Sequence, residues 1–297
     1  MGQKDILEKL LENYNDVFAD MVNGLLFGGR KLITEQQLCD LGTRSQYGSG
    51  DKLHEQERDT LKIWKRHGRG LAVIGFENQT SIDEHMPLRI ISYDGAAYRS
   101  QYNGNKTNAC PVITLILNFS EKEWPKEKCL SDIVDVPEEL QPYFNDYRII
   151  VFDVAYFTNE QIDMFTSDFR IIADYLVQAR CDPENYVPVD QEIKHVDAVL
   201  KLMYVLTGDD RYTKYINELG RKGEPVKMCK VLDIIEDRGR AEGIEKGRAE
   251  GRTEGMKRGG LVMLAHLAED GTITVEKAAE KAGMSISDFR NVMDESL

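Results

Sequence analysis

The chain has 297 residues and a mass of 33.9 kDa, room for one large domain or two ordinary ones. Its 51 acidic residues outnumber 38 lysines and arginines, and the net charge of −13 excludes a globally basic nucleic-acid coat, so any DNA contact needs local basic patches or metal ions. A hydrophobic fraction of 41% excludes a disordered chain, and the longest apolar runs, Leu71 to Phe76 and Val112 to Leu117, are far too short to span a bilayer.

The N-terminus lacks the layout of a signal peptide, and Ile6 stands where a myristoylation motif wants Ser or Thr. The five cysteines form no CxxC pair and the five histidines are scattered. Reduced thiols, a cytoplasmic location and no zinc site are the expectation.

In chain order, residues 4–27 carry two helical stretches, with Ile6, Leu7, Leu10 and Leu11 in the first. Val17, Met21 and Leu25 continue the period after Asn15-Asp16, and Gly28-Gly29 ends the second helix. Residues 40–52, around Gly48-Ser49-Gly50, read as a polar loop. The stretch from Asp59 to Gln79 reads as a β-hairpin. Thr60, Leu61, Ile63 and Trp64 form one arm, Leu71 to Ile74 and Phe76 the other, and residues 65–70 the turn. A helix is expected from about Ser81, with Met86, Ile90, Tyr93 and Ala97 on one face.

Cys110 to Phe119 and Arg148 to Phe157 are apolar enough to be strands inside a sheet covered by helices. Residues 159–180 and 190–219 read as amphipathic helices. The order implies an α/β domain with a mixed sheet flanked by helices and a helical C-terminal extension. The expected divisions are 1–185 for that domain, 186–237 for a helical extension, 238–260 for a glycine-periodic tract and 261–297 for a small unit.

In the tract, glycine recurs at every fourth position from Gly239 to Gly259, among six basic and four acidic residues. A self-associating helix and a flexible charged linker both fit this pattern. The charge density excludes a membrane-embedded glycine pair. Residues 272–293 resemble a helix-turn-helix, but Arg290 faces Asp288, Asp294 and Glu295 in sequence, which suits a packing hairpin better than a phosphate backbone.

The hairpin carries the chemistry. Asp59 and Glu77 each lie nine positions from Gly68, so antiparallel pairing sets them opposite one another, with Cβ atoms roughly 5 Å apart. Gln79 shares their face because strand side chains alternate. Two carboxylates so close repel, and a divalent cation relieves the conflict. Mg²⁺ (or Mn²⁺) takes one or two carboxylates, waters and phosphate oxygens, and metal-bound water is a nucleophile for phosphorus. Gln79 can orient water or phosphate but carries no charge. Two solvated carboxylates at a strand end are the plain structural alternative.

Three segments carry a resemblance: residues 53–59 (LHEQERD), 75–79 (GFENQ) and 86–93 (MPLRIISY). With the helix around Asn15-Asp16-Val17-Phe18 and the Glu-Gly tail repeats, they resemble the recombination-promoting nucleases. This is the Rpn or YhgA-like transposase family of the PD-(D/E)xK nuclease superfamily, and the likeness spans about residues 3–260. The resemblance implies a metal-dependent DNA endonuclease with a central mixed sheet. Asp59 matches the strand aspartate, Glu77 the glutamate of the (D/E)xK element and Gln79 its final position, where the superfamily usually has lysine and this family commonly glutamine.

Asp59, Glu77 and the Asn78 carbonyl would hold the metal. Asp20 matches the acidic residue on the first helix, or is an ordinary residue on its polar edge. Arg89 and Tyr93, one turn apart, contact phosphate or form a packed tyrosine beside a salt bridge. A non-catalytic protein that keeps the fold and acts through its tail is the rival function.

Overall fold

Apolar residues at helical spacing build the first named element, α1 (Asn15–Phe27), in the computed structural model of the chain. The structure describes residue 9 and residues 11–42, 44–49, 52–57, 59–102, 109–125, 128–182, 185–219 and 226–296. Residues 9, 11 and 12 are helical, whereas Ile6, Leu7 and Leu10 lie outside the described residues. Val17, Phe18, Met21 and Val22 of α1 are buried. The helix stops at Gly28, whose left-handed conformation (φ 60°) suits glycine. The buried Asn23 side chain then accepts hydrogen bonds from the Leu32 and Ile33 amides at 3.0 Å and donates to the Ile33 carbonyl at 2.8 Å. That fastens the outgoing chain to the helix.

β1 (Leu38–Asp40) follows. The expected polar loop after it is instead a two-stranded ribbon of β2 (Arg44–Ser49) and β3 (Lys52–Glu57). The ribbon pairs only with itself, so it needs no alternating apolar face, the signal by which a strand is read from sequence. The hairpin of β4 (Thr60–Arg66) and β5 (Arg69–Gln79) is as expected, with a tighter turn. His67 and Gly68 alone make it, at φ 51° and 76°, the two positive values of a twist-matched hairpin turn.

α2 (Met86–Tyr102) begins later than expected. Asp83 accepts the His85 amide at 2.9 Å just before it, and Pro87 suits a first turn. Met86, Ile90, Tyr93 and Ala97 are all buried. α2 is the crossover that lets β6 (Val112–Asn118) run parallel to β5. β7 (Ile150–Asp153) adds a second parallel strand, so the sheet is mixed, in the order β1-β4-β5-β6-β7. The strand expected over 148–157 is cut short at Asp153. Its carboxylate takes the Trp124 amide at 2.8 Å and the Asn118 side chain at 2.7 Å, and Val154 to Tyr156 turn as a 3₁₀ helix. That apolar run is core, but not strand.

Alternation along the strands sorts the two faces. Leu61, Val73 and Val112 pack with Ala97 of α2, and Ile116 packs with Met86, Ile90 and Tyr93. On the other face Phe76 meets Phe18 of α1 with ring centroids 4.7 Å apart, and the Lys62 ammonium is enclosed between Asp40 and the Asn13 carbonyl.

The expected long helices break into α3 (Asn159–Ile162), α4 (Phe169–Cys181), α5 (Val196–Thr207) and α6 (Arg211–Leu219). The strand pair β8 (Glu192–Ile193) and β9 (Val226–Lys227) flanks the last two. Thr158 and Gln161 cap the start of α3 reciprocally, and at the start of α4 the Asp168 carboxylate is drawn to the Lys194 and His195 amides at 3.0 and 2.6 Å.

α7 (Met228–Glu269) is one continuous helix containing all the period-four glycines, and residues 240–260 are exposed. Of the two readings of that tract the structure has the helix. α8 (Val275–Ala282) and α9 (Ile286–Ser296) follow. Phe289 packs on Ala265, Ala278 and Ala279 in a small core of their own. By compactness the chain divides into Met1–Leu232 and Asp233–Leu297. No helix among the described residues is long and apolar enough to cross a membrane, and all five cysteines are free.

Gly24 tests the packing of α1. A β-carbon there would lie 2.3 Å from the buried Phe165 ring, whereas one at Gly95 in α2 would meet nothing within 4 Å. Urea unfolding should show Gly24→Ala destabilised by about 1–3 kcal/mol and Gly95→Ala unchanged or stabilised by up to ~1 kcal/mol.

Candidate active site

The β4–β5 register pairs Thr60 with Phe76, which sets Asp59 against Glu77 on the next rung outward. Both project to the α2 side, because Leu61 and Val73 further in do so. β4 begins at Thr60, and just before it the Asp59 carboxylate accepts the Asn78 amide at 2.6 Å. The aspartate is thereby held to β5 by backbone geometry. Glu77 is only 2% exposed. The Gln79 amide nitrogen donates to the Asn78 carbonyl at 2.8 Å and reaches Glu77 Oε1 at 3.4 Å. Three of the four residues named from the hairpin therefore converge, and the fourth, Asn78, presents its carbonyl to Gln79.

Arg89, one turn into α2, forms an ion pair with Glu77 and a second with Asp83 at 2.9 Å. Burial works to lower the pKa of the guanidinium, but these carboxylates outweigh it and hold the pKa above its ordinary value. Asp83 is correspondingly held below the usual carboxylate range, its burial overcome mainly by the Arg89 hydrogen bond. Tyr93 stands one turn further on, its hydroxyl 3.4 Å from Arg89 and its ring 5.9 Å from the guanidinium. Burial and then the Glu77 charge push its phenol up. Here the packed tyrosine beside a salt bridge is what the structure contains.

Two further groups complete the site, and the hairpin pattern gave no sign of either. Lys9 places its ammonium 2.8 Å from Asp59 Oδ1, both side chains being largely buried. Glu12, one turn along, accepts the Thr60 hydroxyl at 3.0 Å. Only their i, i+3 spacing on one helical face hinted at a shared role.

Asp20 is not part of this constellation. Its carboxylate accepts the Thr166 amide and hydroxyl and the Ser167 amide, each at 2.8 Å, which pins α1 to the corner before α4. The expectation of an active-site acid at Asp20 is corrected accordingly: the polar edge of α1 faces that corner, not the end of β5. A cavity of about 820 Å³ lies there, lined by Asp16, Asp20, Lys31, Asp168 and Lys194 among others, and by none of Asp59, Glu77 or Gln79.

Among the described residues, the groups at the hairpin end that could ligate a metal are the Asp59 and Glu77 carboxylates and the Asn78 carbonyl, oxygens that suit a hard cation. Among the described residues no group of three or more His, Cys, Asp or Glu side chains is placed to hold a metal. A cation here would rest on two carboxylates, waters and substrate oxygens, the habit of Mg²⁺. The residues fit that mode of binding and not a closed protein cage.

The family model described as "Putative transposase, YhgA-like" matches residues 36–201, more than half of the chain, and the chain belongs to that family. It matches no curated protein and no solved structure.

Asp16 offers a test of the α1 clamp. It pairs with Lys194 at 2.8 Å and with His195 Nε2 at 2.9 Å. Burial works to raise its pKa, but these partners hold it below the ordinary 3.8. A lowered folded pKa adds stability above the unfolded value, which is lost as the pH falls through the folded one. Asp16→Asn should therefore cost ~1 kcal/mol at neutral pH. The gap from wild type should close below about pH 4 in acid-unfolding curves.

Proposed function

We propose that this chain is a divalent-metal-dependent DNA endonuclease that hydrolyses phosphodiester bonds at Asp59, Glu77 and Gln79. Its family membership gives the coarse role, that of a transposase-related protein of mobile elements or recombination. The observation that carries the finer reading is the placement of Asp59 and Glu77 on one rung at the end of β5, with Gln79 on the same face. The helix, three antiparallel strands, helix and parallel strand around it agree with the PD-(D/E)xK arrangement that the sequence resembles.

Asp59 and Glu77 would hold Mg²⁺ or Mn²⁺, with the Asn78 carbonyl as a third oxygen. The metal, when bound, supplies an activated water and neutralises charge on the phosphate. The protein groups do the positioning. The Asn78 amide orients Asp59, Gln79 steadies Glu77 and presents an amide to water or phosphate, and Arg89 balances the buried glutamate.

The tail supports a self-associating element. Arg240, Arg248 and Arg252 each follow a glycine of α7, and Glu242, Glu250 and Glu254 each precede one. Two parallel copies facing along the glycines would set arginines against glutamates, as flanking charges do in paired helices.

Nicking of supercoiled plasmid in Mg²⁺ tests the proposal. Asp59→Asn and Glu77→Gln should each lower the rate by about 100-fold or more, the scale of losing metal-derived stabilisation. Equal nicking by all three proteins would remove this site from the reaction. No nicking and no Mg²⁺ binding by the wild type would favour the non-catalytic protein acting through its tail. Because six basic against four acidic residues at 239–260 leave the rest of the chain at −15, gel-shift binding of DNA should depend on a divalent cation. Tight binding that survives EDTA would contradict this.

A further inference from the structure

We propose that Lys9 is the cationic catalytic group at the scissile phosphate, supplied from the N-terminal helix in place of a lysine on β5. The proposal rests on the nuclease reading of the Asp59–Glu77 site. During hydrolysis a water oxygen bonds to phosphorus while the bond to the leaving sugar oxygen breaks. The water's protons pass to solvent and to that leaving oxygen. Negative charge builds up on the phosphoryl oxygens, and catalysis of this step consists largely of placing positive charge against them. Gln79 is neutral and its amide is engaged along its own strand. Positive charge from the protein, beside that of the metal, has to come from another element.

Among the described residues, three cations lie near the end of the hairpin: Lys62, Arg89 and Lys9. Lys62 is on the opposite face of the sheet, enclosed by Asp40 and the Asn13 carbonyl beneath Phe18. Arg89 is on the right face but is clamped by Glu77 and Asp83 together. Its displacement would strip the countercharge from two carboxylates, one of them almost fully buried. Lys9 reaches the Asp59 carboxylate from the helical turn before α1, with its ammonium 2.8 Å from Asp59 Oδ1. The carboxylate that anchors it is one of the two whose oxygens a divalent ion would take. An ammonium is a compact charge on a flexible stem, able to exchange a carboxylate oxygen for a phosphate oxygen. The Asn13 amide bonds to the Lys9 carbonyl at 3.0 Å, so a helical turn fixes the base of that stem.

Nicking and DNA binding measured together test the assignment. Lys9→Met should lower plasmid nicking by about 100-fold, the scale of losing one transition-state donor, and Lys9→Arg should recover part of it. For a short duplex bound in Ca²⁺, the slope of log affinity against log salt should shrink by about 0.9, one phosphate contact. A merely structural ion pair would leave that slope unchanged. Adding Gln79→Lys to Lys9→Met should restore nicking, because it returns the charge from β5, and a misfolded protein could not be rescued in this way. If the wild type nicks and Lys9→Met matches it in rate and salt slope, Lys9 is not the cationic group, while the nuclease reading stands. If Gln79→Lys fails to rescue a folded Lys9→Met variant, the assignment also falls. A wild type that neither nicks nor binds DNA would overturn the nuclease reading and the role of Lys9 together.

Discussion

Two carboxylates facing each other across the last rung of a hairpin, one of them buried, impose a charge constraint on everything around them. Uncompensated, the pair would be costly to keep ionised inside the protein. The chain meets the constraint with cations from two different elements, Lys9 on Asp59 and Arg89 on Glu77. Asp83 extends the network on the α2 side, so that Arg89 joins strand end, loop and helix. The site is thus a network of two cations and three carboxylates, in which, under the proposed function, a divalent ion and a phosphate would take the places of internal partners.

The position of that set follows from the sheet. A parallel neighbour requires a crossover, so β5 must end beneath the start of α2 and β6 must lie on its far side. That leaves the last residues of β5 at an end where one neighbouring strand has stopped. The Asp59 carboxylate accepts the Asn78 amide there, so one hydrogen bond ties Asp59 to the strand that carries Glu77. The cavity elsewhere, between α1 and the corner before α4, is lined in part by Asp20 and Asp168, which accept backbone amides, and by Asp16, which pairs with Lys194 and His195.

Much of this was legible beforehand where local rules apply. The hairpin, its register and the shared face of Asp59, Glu77 and Gln79 follow from period two and a glycine-containing turn. The buried face of α2 follows from the spacing of Met86, Ile90, Tyr93 and Ala97. Where the reading failed, a tertiary contact had overridden a local pattern. The apolar stretch at 150–157 stops being strand because Asp153 is recruited by Asn118 and Trp124. The segment expected as a polar loop over 40–52 instead contributes strand at 44–49, paired with 52–57, despite lacking an apolar stripe.

The residues that complete the site divide along the same line. Sequence alone determined the acidic pair, its amide companion and the helix carrying Arg89, because each depends on spacing within one short segment. Only the tertiary structure decided that Lys9 meets Asp59 across fifty positions, that Asp20 belongs to a distant corner, and that Arg89 is held by two acids at once. Pairings of that kind depend on which helix lies over which strand end. Charge and hydropathy patterns do not encode this, because a solvated lysine and one enclosed beside an aspartate look the same along the chain.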